Sequence, residues 1–206
     1  MVPPRMGGPF PRSARADLTA VIAEARATGL VRVRAVGAWQ SYRLRLQRKR
    51  WLIRAFRKRR DLRAVANRTD RITASDLLVF CTARNEGVRL PWFLKYYRDM
   101  GVGHFLIVDN DSTDGSRAYL AQQQDVSLWT TGASYRRSRF GMDWMNWLLR
   151  CYGHGHWTLT VDPDELFLYP FCDTRPLRAL TDWLDASSIK TFPAMLLDMY
   201  PKGSLS

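Results

Sequence analysis

From Asp76 onward, short apolar runs alternate with amphipathic stretches. Leu77-Leu78-Val79-Phe80 is an uninterrupted apolar run of strand length. Leu90 to Met100, opening near Pro91, repeats its apolar residues at helical spacing. His104 to Val108 predicts a second strand and Ser116 to Gln123 a second helix. Val126 to Trp129 predicts a third strand, Phe140 to Cys151 a third helix, and Trp157 to Val161 a fourth strand. Strands that alternate with helices predict right-handed crossovers and a mainly parallel α/β sheet with helices on both faces. Ligands bind such sheets beyond the carboxyl ends of the strands, so chemistry is expected in the residues that follow each strand.

Ahead of this region the pattern is different. Residues 1–12 are rich in Pro and Gly and read as disordered. Ser13 caps a helix expected over 14–28, with Leu18, Val21, Ile22 and Ala25 on one stripe and Gly29 as its stop. A second helix is expected from about Trp39 to Ala66. It carries Leu44, Trp51, Leu52, Ala55, Phe56 and Leu62 among Arg48-Lys49-Arg50 and Arg57-Lys58-Arg59-Arg60.

Charge sharpens the division. Residues 1–71 hold 19 basic and four acidic residues, a net +15, whereas residues 72–206 hold 13 basic and 15 acidic, a net −2. The chain therefore divides into a basic, helical N-terminal segment, 1–71, and a nearly neutral domain, 72–206. Two readings of the basic helix stand open. It lies on an anionic membrane surface through residues 39–66, or its aromatic stripe docks on the domain that follows. Nucleic acid ranks third, because no reader motif accompanies the charge. A composition 46% hydrophobic and 12% aromatic excludes a chain disordered throughout. No apolar run approaches the ~18–20 residues of a bilayer helix, and Met1 to Phe10 lacks the apolar segment of a secretory signal. Cys81, Cys151 and Cys172 are odd in number and widely spaced, which suits a reducing compartment better than a disulfide framework.

Three strand ends are polar. The first runs into Thr82-Ala83-Arg84-Asn85-Glu86, the second into Asp109-Asn110-Asp111-Ser112-Thr113-Asp114-Gly115-Ser116, and the fourth into Asp162-Pro163-Asp164-Glu165. In a parallel sheet these converge on one rim. An acidic rim repels a phosphate ligand unless a divalent cation lies between them, and carboxylate oxygens suit hard ions such as Mg or Mn. The 109–116 segment fails as a calcium loop, because its sixth position is Asp114 where Gly is needed and its twelfth is Leu120 where a bidentate Glu is needed. Ser112, Thr113 or Asp114 can also cap the following helix, and Asn85 and Glu86 can act as capping groups. His154, His156 and Cys151 lie among Gly153 and Gly155 without a second ligand pair and read as a turn. Trp144, Trp147, Leu148 and Cys151 fall at helical spacing and read as core; Arg136, Arg137 and Arg139 could help hold a diphosphate but read first as a solvated loop.

These motifs resemble the family 2-like glycosyltransferases of the GT-A nucleotide-sugar fold, over about Asp76 to Gly203. "ARNE" at 83–86 is similar to the family's first-strand loop, "IVDNDSTDGS" at 107–116 to its "VVDDGSTDGT" segment, and "VDPDE" at 161–165 to its DxD metal motif. Trp144-Met145-Asn146-Trp147-Leu148 falls where the family often has "ALNxGL". The resemblance implies transfer of a sugar from a nucleotide-diphosphate donor, usually inverting and with Mn or Mg, on the cytoplasmic side of a cell membrane and in the making of envelope polysaccharide. By motif position Thr82, Asn85 and Glu86 line the nucleotide pocket. Asp109 contacts base or ribose with Asp111 beside it, and Asp162 and Asp164 face ribose, diphosphate and metal. Asn110 and Asp111 depart from the family's Asp-Gly. The family's base lies well beyond the DxD motif, whereas the chain ends 42 residues after Asp164. The expectation is thus a chain truncated before the acceptor half, with Asp198 the last carboxylate in the sequence and not assigned as base. A nucleotidyltransferase is disfavoured, since no glycine-rich phosphate loop follows the first strand. The alternative outside enzymes is a basic membrane- or nucleic-acid-binding adaptor carrying a catalytically incomplete GT-A domain.

Overall fold

The computed structural model describes residues 37–197. The stretch 1–12, the helix expected over 14–28 and Asp198 lie outside the described residues. The interior strand β2 (Leu77–Ala83) has every residue but Thr82 buried. It pairs in parallel with β3 (Val102–Asp109) on one side and β5 (Thr158–Thr160) on the other. Beyond β3, β4 (Val126–Thr130) is again parallel, and β1 (Arg63–Ala66) closes that edge antiparallel, giving the order β1-β4-β3-β2-β5.

The interior strands β2, β3 and β4 are mostly apolar because both faces of the sheet are covered there. Leu77, Val79, Cys81 and Ala83 turn to one face, with Phe105 and Ile107 beside them. There they meet α2 (Leu90–Asp99), α3 (Ser116–Gln122) and α5 (Leu177–Ala186) through Phe93, Leu94, Tyr97, Leu120 and Leu177. Leu78, Phe80, Leu106 and Val108 turn the other way, onto Trp144, Met145 and Leu148 of α4 (Met142–Tyr152). Each fully buried side chain of this kind contributes about 1.5–3 kcal/mol relative to exposure. The expected alternation of strands and helices is present, with helices on both faces. In α4, Trp144 and Leu148 are core as expected, but Cys151 is exposed.

The N-terminal segment departs from expectation. The helix α1 ends at Lys58 (Ala38–Lys58), and after one 3-10 turn over Arg59–Asp61 the chain becomes β1. Residues 63–66 are therefore strand where a continuous helix to Ala66 was expected. Two contacts turn the chain there. Leu62 enters the α4 side of the core, and the Trp144 indole donates to Asp61 Oδ2 at 3.4 Å. The open edge of β4 then supplies backbone partners, Arg63 opposite Thr130 and Ala64 opposite Trp129. A segment on the basic side of the expected boundary at residue 71 is thus part of the sheet. α5 was not anticipated at all, although Leu177, Leu180, Thr181 and Leu184 keep helical spacing.

β3 contains a buried histidine with a consequence for stability. His104 lies with Nε2 2.9 Å from Ser127 Oγ. Burial lowers its pKa below the ordinary 6.5, a shift that Asp125 and Asp76 oppose and Arg68 and Arg71 assist. The unfolded chain takes up this proton first, so stability is level above pH 6.5 and falls as the pH drops from there towards the folded pKa. Denaturant unfolding as a function of pH should show this decline beginning near 6.5. In His104→Gln the segment below about pH 6.5 should be flatter.

Candidate functional site

The parallel strands β2, β3, β4 and β5 present their carboxyl ends along one rim. Asp109 is opposite Ala83 in the β2–β3 register, and β5 pairs with β2 up to Phe80↔Thr160. The loops carrying Asn85, Asp109 and Asp164 therefore leave three neighbouring strands at the same edge. Four of the six non-glycine residues with left-handed backbone among the described residues lie on rim loops: Asn85 (φ 56°), Asp111 (58°), Arg139 (52°) and Phe140 (56°). Left-handed backbone away from glycine is retained where surrounding contacts hold it, and it clusters at binding sites.

Hydrogen bonds stitch the first two loops together. The Asn85 amide donates to Ser112 Oγ at 2.9 Å, and Asn85 Oδ1 accepts from the Thr113 amide at 2.8 Å. The Glu86 amide donates to Ser116 Oγ (3.1 Å) and the Gly87 amide to Asp114 Oδ2 (2.8 Å). Bonds from Ser116 and from the Gly87 amide hold the Asp114 carboxyl below its usual range. Asn85 thus works as a structural bracket through its amide and carbonyl groups, and Glu86 forms an ion pair with Arg89 at 2.7 Å in the turn into α2.

Asp109 is where the sequence reading meets its clearest obstacle. Its carboxylate is fully buried, ion-paired with Arg117 Nε at 2.7 Å and reached by Thr130 Oγ1 and the Ser112 amide. It is committed inside the fold, and the partly exposed Arg117 that holds it is joined also to the exposed Asp111 at 3.3 Å. The neighbouring Asn110 explains one departure from the family motif. Its Nδ2 donates to the carbonyls of Thr131 (2.9 Å) and Ala133 (3.0 Å). An amide can donate twice there, whereas a carboxylate would face two carbonyl oxygens with no proton to share. Asp111, at the motif's glycine position, keeps the left-handed backbone that a glycine there would supply.

Asp162 and Asp164 follow β5 in a turn closed by Glu165. The Asp162 amide donates to Glu165 Oε2 at 3.0 Å and the Glu165 amide to the Asp162 carbonyl at 3.1 Å. Partial desolvation, then the charges of Glu165, Asp164 and Glu86, push the Asp162 carboxyl above its ordinary value. The Cys81 thiol is raised by its burial and further by Asp162, Glu86, Glu165 and Asp164. The shifts of Cys81 and Asp162 thus share three sources, Glu86, Asp164 and Glu165, which places these carboxylates with Asp162 around the ends of β2 and β5. Among the described residues no group of three or more His, Cys, Asp or Glu is placed to hold a metal ion by itself. Asp162 and Asp164 still suit Mg or Mn, which characteristically take one or two protein carboxylates and complete their shell with phosphate and water oxygens.

Thr82 borders this lip. Its Oγ1 is buried without a hydrogen-bond partner, and a Cβ at Gly141 would stand 2.8 Å from it and 3.1 Å from the Tyr135 ring. Tyr135 connects to the carboxylates, since burial and then the Asp162 charge raise its phenol pKa. The loop expected to be merely solvated is in fact anchored. Arg139 Nε donates at 2.8 Å to the buried Asp143 of α4, Arg54 of α1 holds the other oxygen of that carboxylate, and Arg54 Nη2 reaches the Arg137 carbonyl.

The fold therefore brings Thr82, Glu86, Asp162 and Asp164 to one lip, binds Asn85 into its frame, and buries Asp109 against Arg117. Tyr135, Arg89 and Arg117 were not foreseen as parts of it, and Glu165 was read as a member of the strand-end cluster without a role of its own. Glu165 had a readable signal, a carboxylate three residues after Asp162 in a strand-end turn, whereas Arg117 and Tyr135 reach the site through packing that no local pattern encodes. No family model, no curated protein and no solved structure matches the chain.

Proposed function

We propose that this chain is a metal-dependent glycosyltransferase domain of the GT-A type, moving a sugar from a nucleotide-diphosphate donor with inversion. The observation that carries the reading is the cluster of four carboxylates, Glu86, Asp162, Asp164 and Glu165, at the carboxyl ends of adjacent parallel strands, in which Arg89 offsets Glu86 alone among the described ion pairs. Such a lip is electrostatically costly by itself and suits a cation shared with a diphosphate. Asp162 and Asp164 would hold the ion. When bound, a divalent cation neutralises the charge that develops on the departing nucleotide diphosphate. Thr82, whose buried hydroxyl packs against Gly141, would border the nucleotide, while Glu86 has one oxygen engaged by Arg89. Asp109 acts as a positioning residue, fixing Arg117 and the Ser112 turn. None of the described carboxylates is assigned as the base.

Thermal unfolding with UDP, GDP, CDP and dTDP, each with and without Mn, tests this. One nucleotide should raise Tm by about 5–10 °C in the presence of Mn and by little without it, as expected for a ligand near a hundredfold above its Kd. The enclosure of Asp109 by Arg117 and Thr130 favours a second reading, a surface-binding adaptor whose transferase domain is incomplete. Absence of any nucleotide shift, with or without Mn, would favour that reading over the first.

A further inference from the structure

We propose that α1 is a docking arm for an anionic lipid surface, rooted at the rim and seated on the bilayer through Trp39, Tyr42, Leu46 and Ile53. The root is firm. Arg54 pairs with the buried Asp143, Ala55 is buried, and Phe56 meets Trp147 edge-on with ring centroids 5.8 Å apart. Everything before it is different. Residues 37–50 are exposed with the sole exception of the half-buried Ser41, so the helix runs about 24 Å from Arg54 back to Ala38 without joining the core. An unsupported helix of that length is marginal in water and gains its stability from what its apolar face touches.

That face is defined. Trp39, Tyr42, Leu46 and Ile53 recur at three-, four- and seven-residue spacing, nearly opposite Ala55, and are 72%, 53%, 42% and 53% exposed. Trp39 and Tyr42 stack at 5.9 Å, giving the stripe an aromatic end of the kind that sits at headgroup level. Eight cations and no acid lie in the helix, with Arg43, Arg50 and Arg57 along one flank of the stripe and Lys49 within it. Charge complementarity selects the occupant. Residues 1–36 carry six Arg against Asp17 and Glu24, and a second copy of α1 carries the same eight cations, so both would meet the stripe with like charge. A nucleic acid would satisfy the cations but leave Leu46 and Ile53 in water, whereas an anionic bilayer satisfies both. Among the described residues no helix is long and apolar enough to cross a membrane, so the arm would lie in the interface plane. Arg54 also grips the Arg137 carbonyl, so seating the arm brings the strand-end rim next to the bilayer.

Cosedimentation of the full chain with phosphatidylcholine vesicles, with and without phosphatidylglycerol, tests the arm independently of any transferase activity. The chain should bind the phosphatidylglycerol vesicles at least about tenfold better than neutral ones. The triple variant Trp39→Ser, Leu46→Ser, Ile53→Ser should lose that binding about tenfold with Tm unchanged, since none of the three is in the core. Vesicle binding indifferent to the triple variant would reduce the arm to a diffuse charge and overturn the proposal. So would failure to bind anionic vesicles, tighter binding to duplex or single-stranded DNA, or stripe-dependent self-association in place of vesicle binding.

Discussion

Asp143→Ala should be the most damaging single substitution outside the apolar core, lowering Tm by about 5–10 °C in thermal unfolding followed by circular dichroism. The carboxylate is fully buried in the first turn of α4, and its two oxygens are held by Arg54 and Arg139 from different segments. Removing one member of a buried ion pair costs about 3–5 kcal/mol when both charges are enclosed. Here Arg54 and Arg139 are 46% and 32% exposed, so water recovers part of their solvation and about 2–3 kcal/mol is the better expectation. The damage should spread unevenly. Arg54 would release α1 and the Arg137 carbonyl, and Arg139 would release a loop already holding left-handed backbone at residues 139–141. Amide hydrogen exchange should therefore rise first in residues 51–58 and 135–142. A loss of protection spread evenly over the sheet would contradict this account.

The sheet was legible because its signals are local. Leu77 to Phe80 and His104 to Val108 read as buried strands from their apolar runs and fall inside β2 and β3, and Pro91 marks the start of α2. The left-handed backbone at the rim was not legible, since Arg139 and Phe140 share it with Asn85 and Asp111. What the sequence hid is long-range. β1 is a strand only because β4, more than sixty residues later, offers an unpaired edge. The same residues, alternating Arg with Ala and Val after a basic helix, carry no strand signal strong enough to end that helix. Arg54 and Asp143 are 89 residues apart, so the docking of α1 could be argued from its aromatic stripe but not located. Asp109 was the opposite case. The motif marked the residue, but Arg117, eight positions on across a turn, decides that its carboxylate faces inward.

Asp162→Asn should change stability in opposite directions depending on ligand. In the unliganded protein the Asp162 carboxyl is raised by partial desolvation and by Glu165, Asp164 and Glu86. A raised carboxyl favours folding when protonated, so its contribution is present below the ordinary value of 3.8 and is lost as the pH rises through the folded pKa. At neutral pH the ionised group adds only repulsion. Replacing it with an uncharged isostere should raise the Tm of the free protein by about 1–2 °C, the size of one relieved surface contact. The same substitution removes an ion ligand, so the Mn-dependent shift with nucleotide, about 5–10 °C in the parent, should vanish. Asp164→Ala should abolish that shift as well. The pairing of a small gain with a complete loss is what separates a binding lip from a structural turn. If Asp162 only closed the β5 turn, its side chain could be exchanged without touching the response to nucleotide and Mn, because the turn bonds come from its backbone amide and carbonyl. Full nucleotide-plus-Mn stabilisation in both variants would leave the carboxylates as turn residues and withdraw the cation from the proposed transfer.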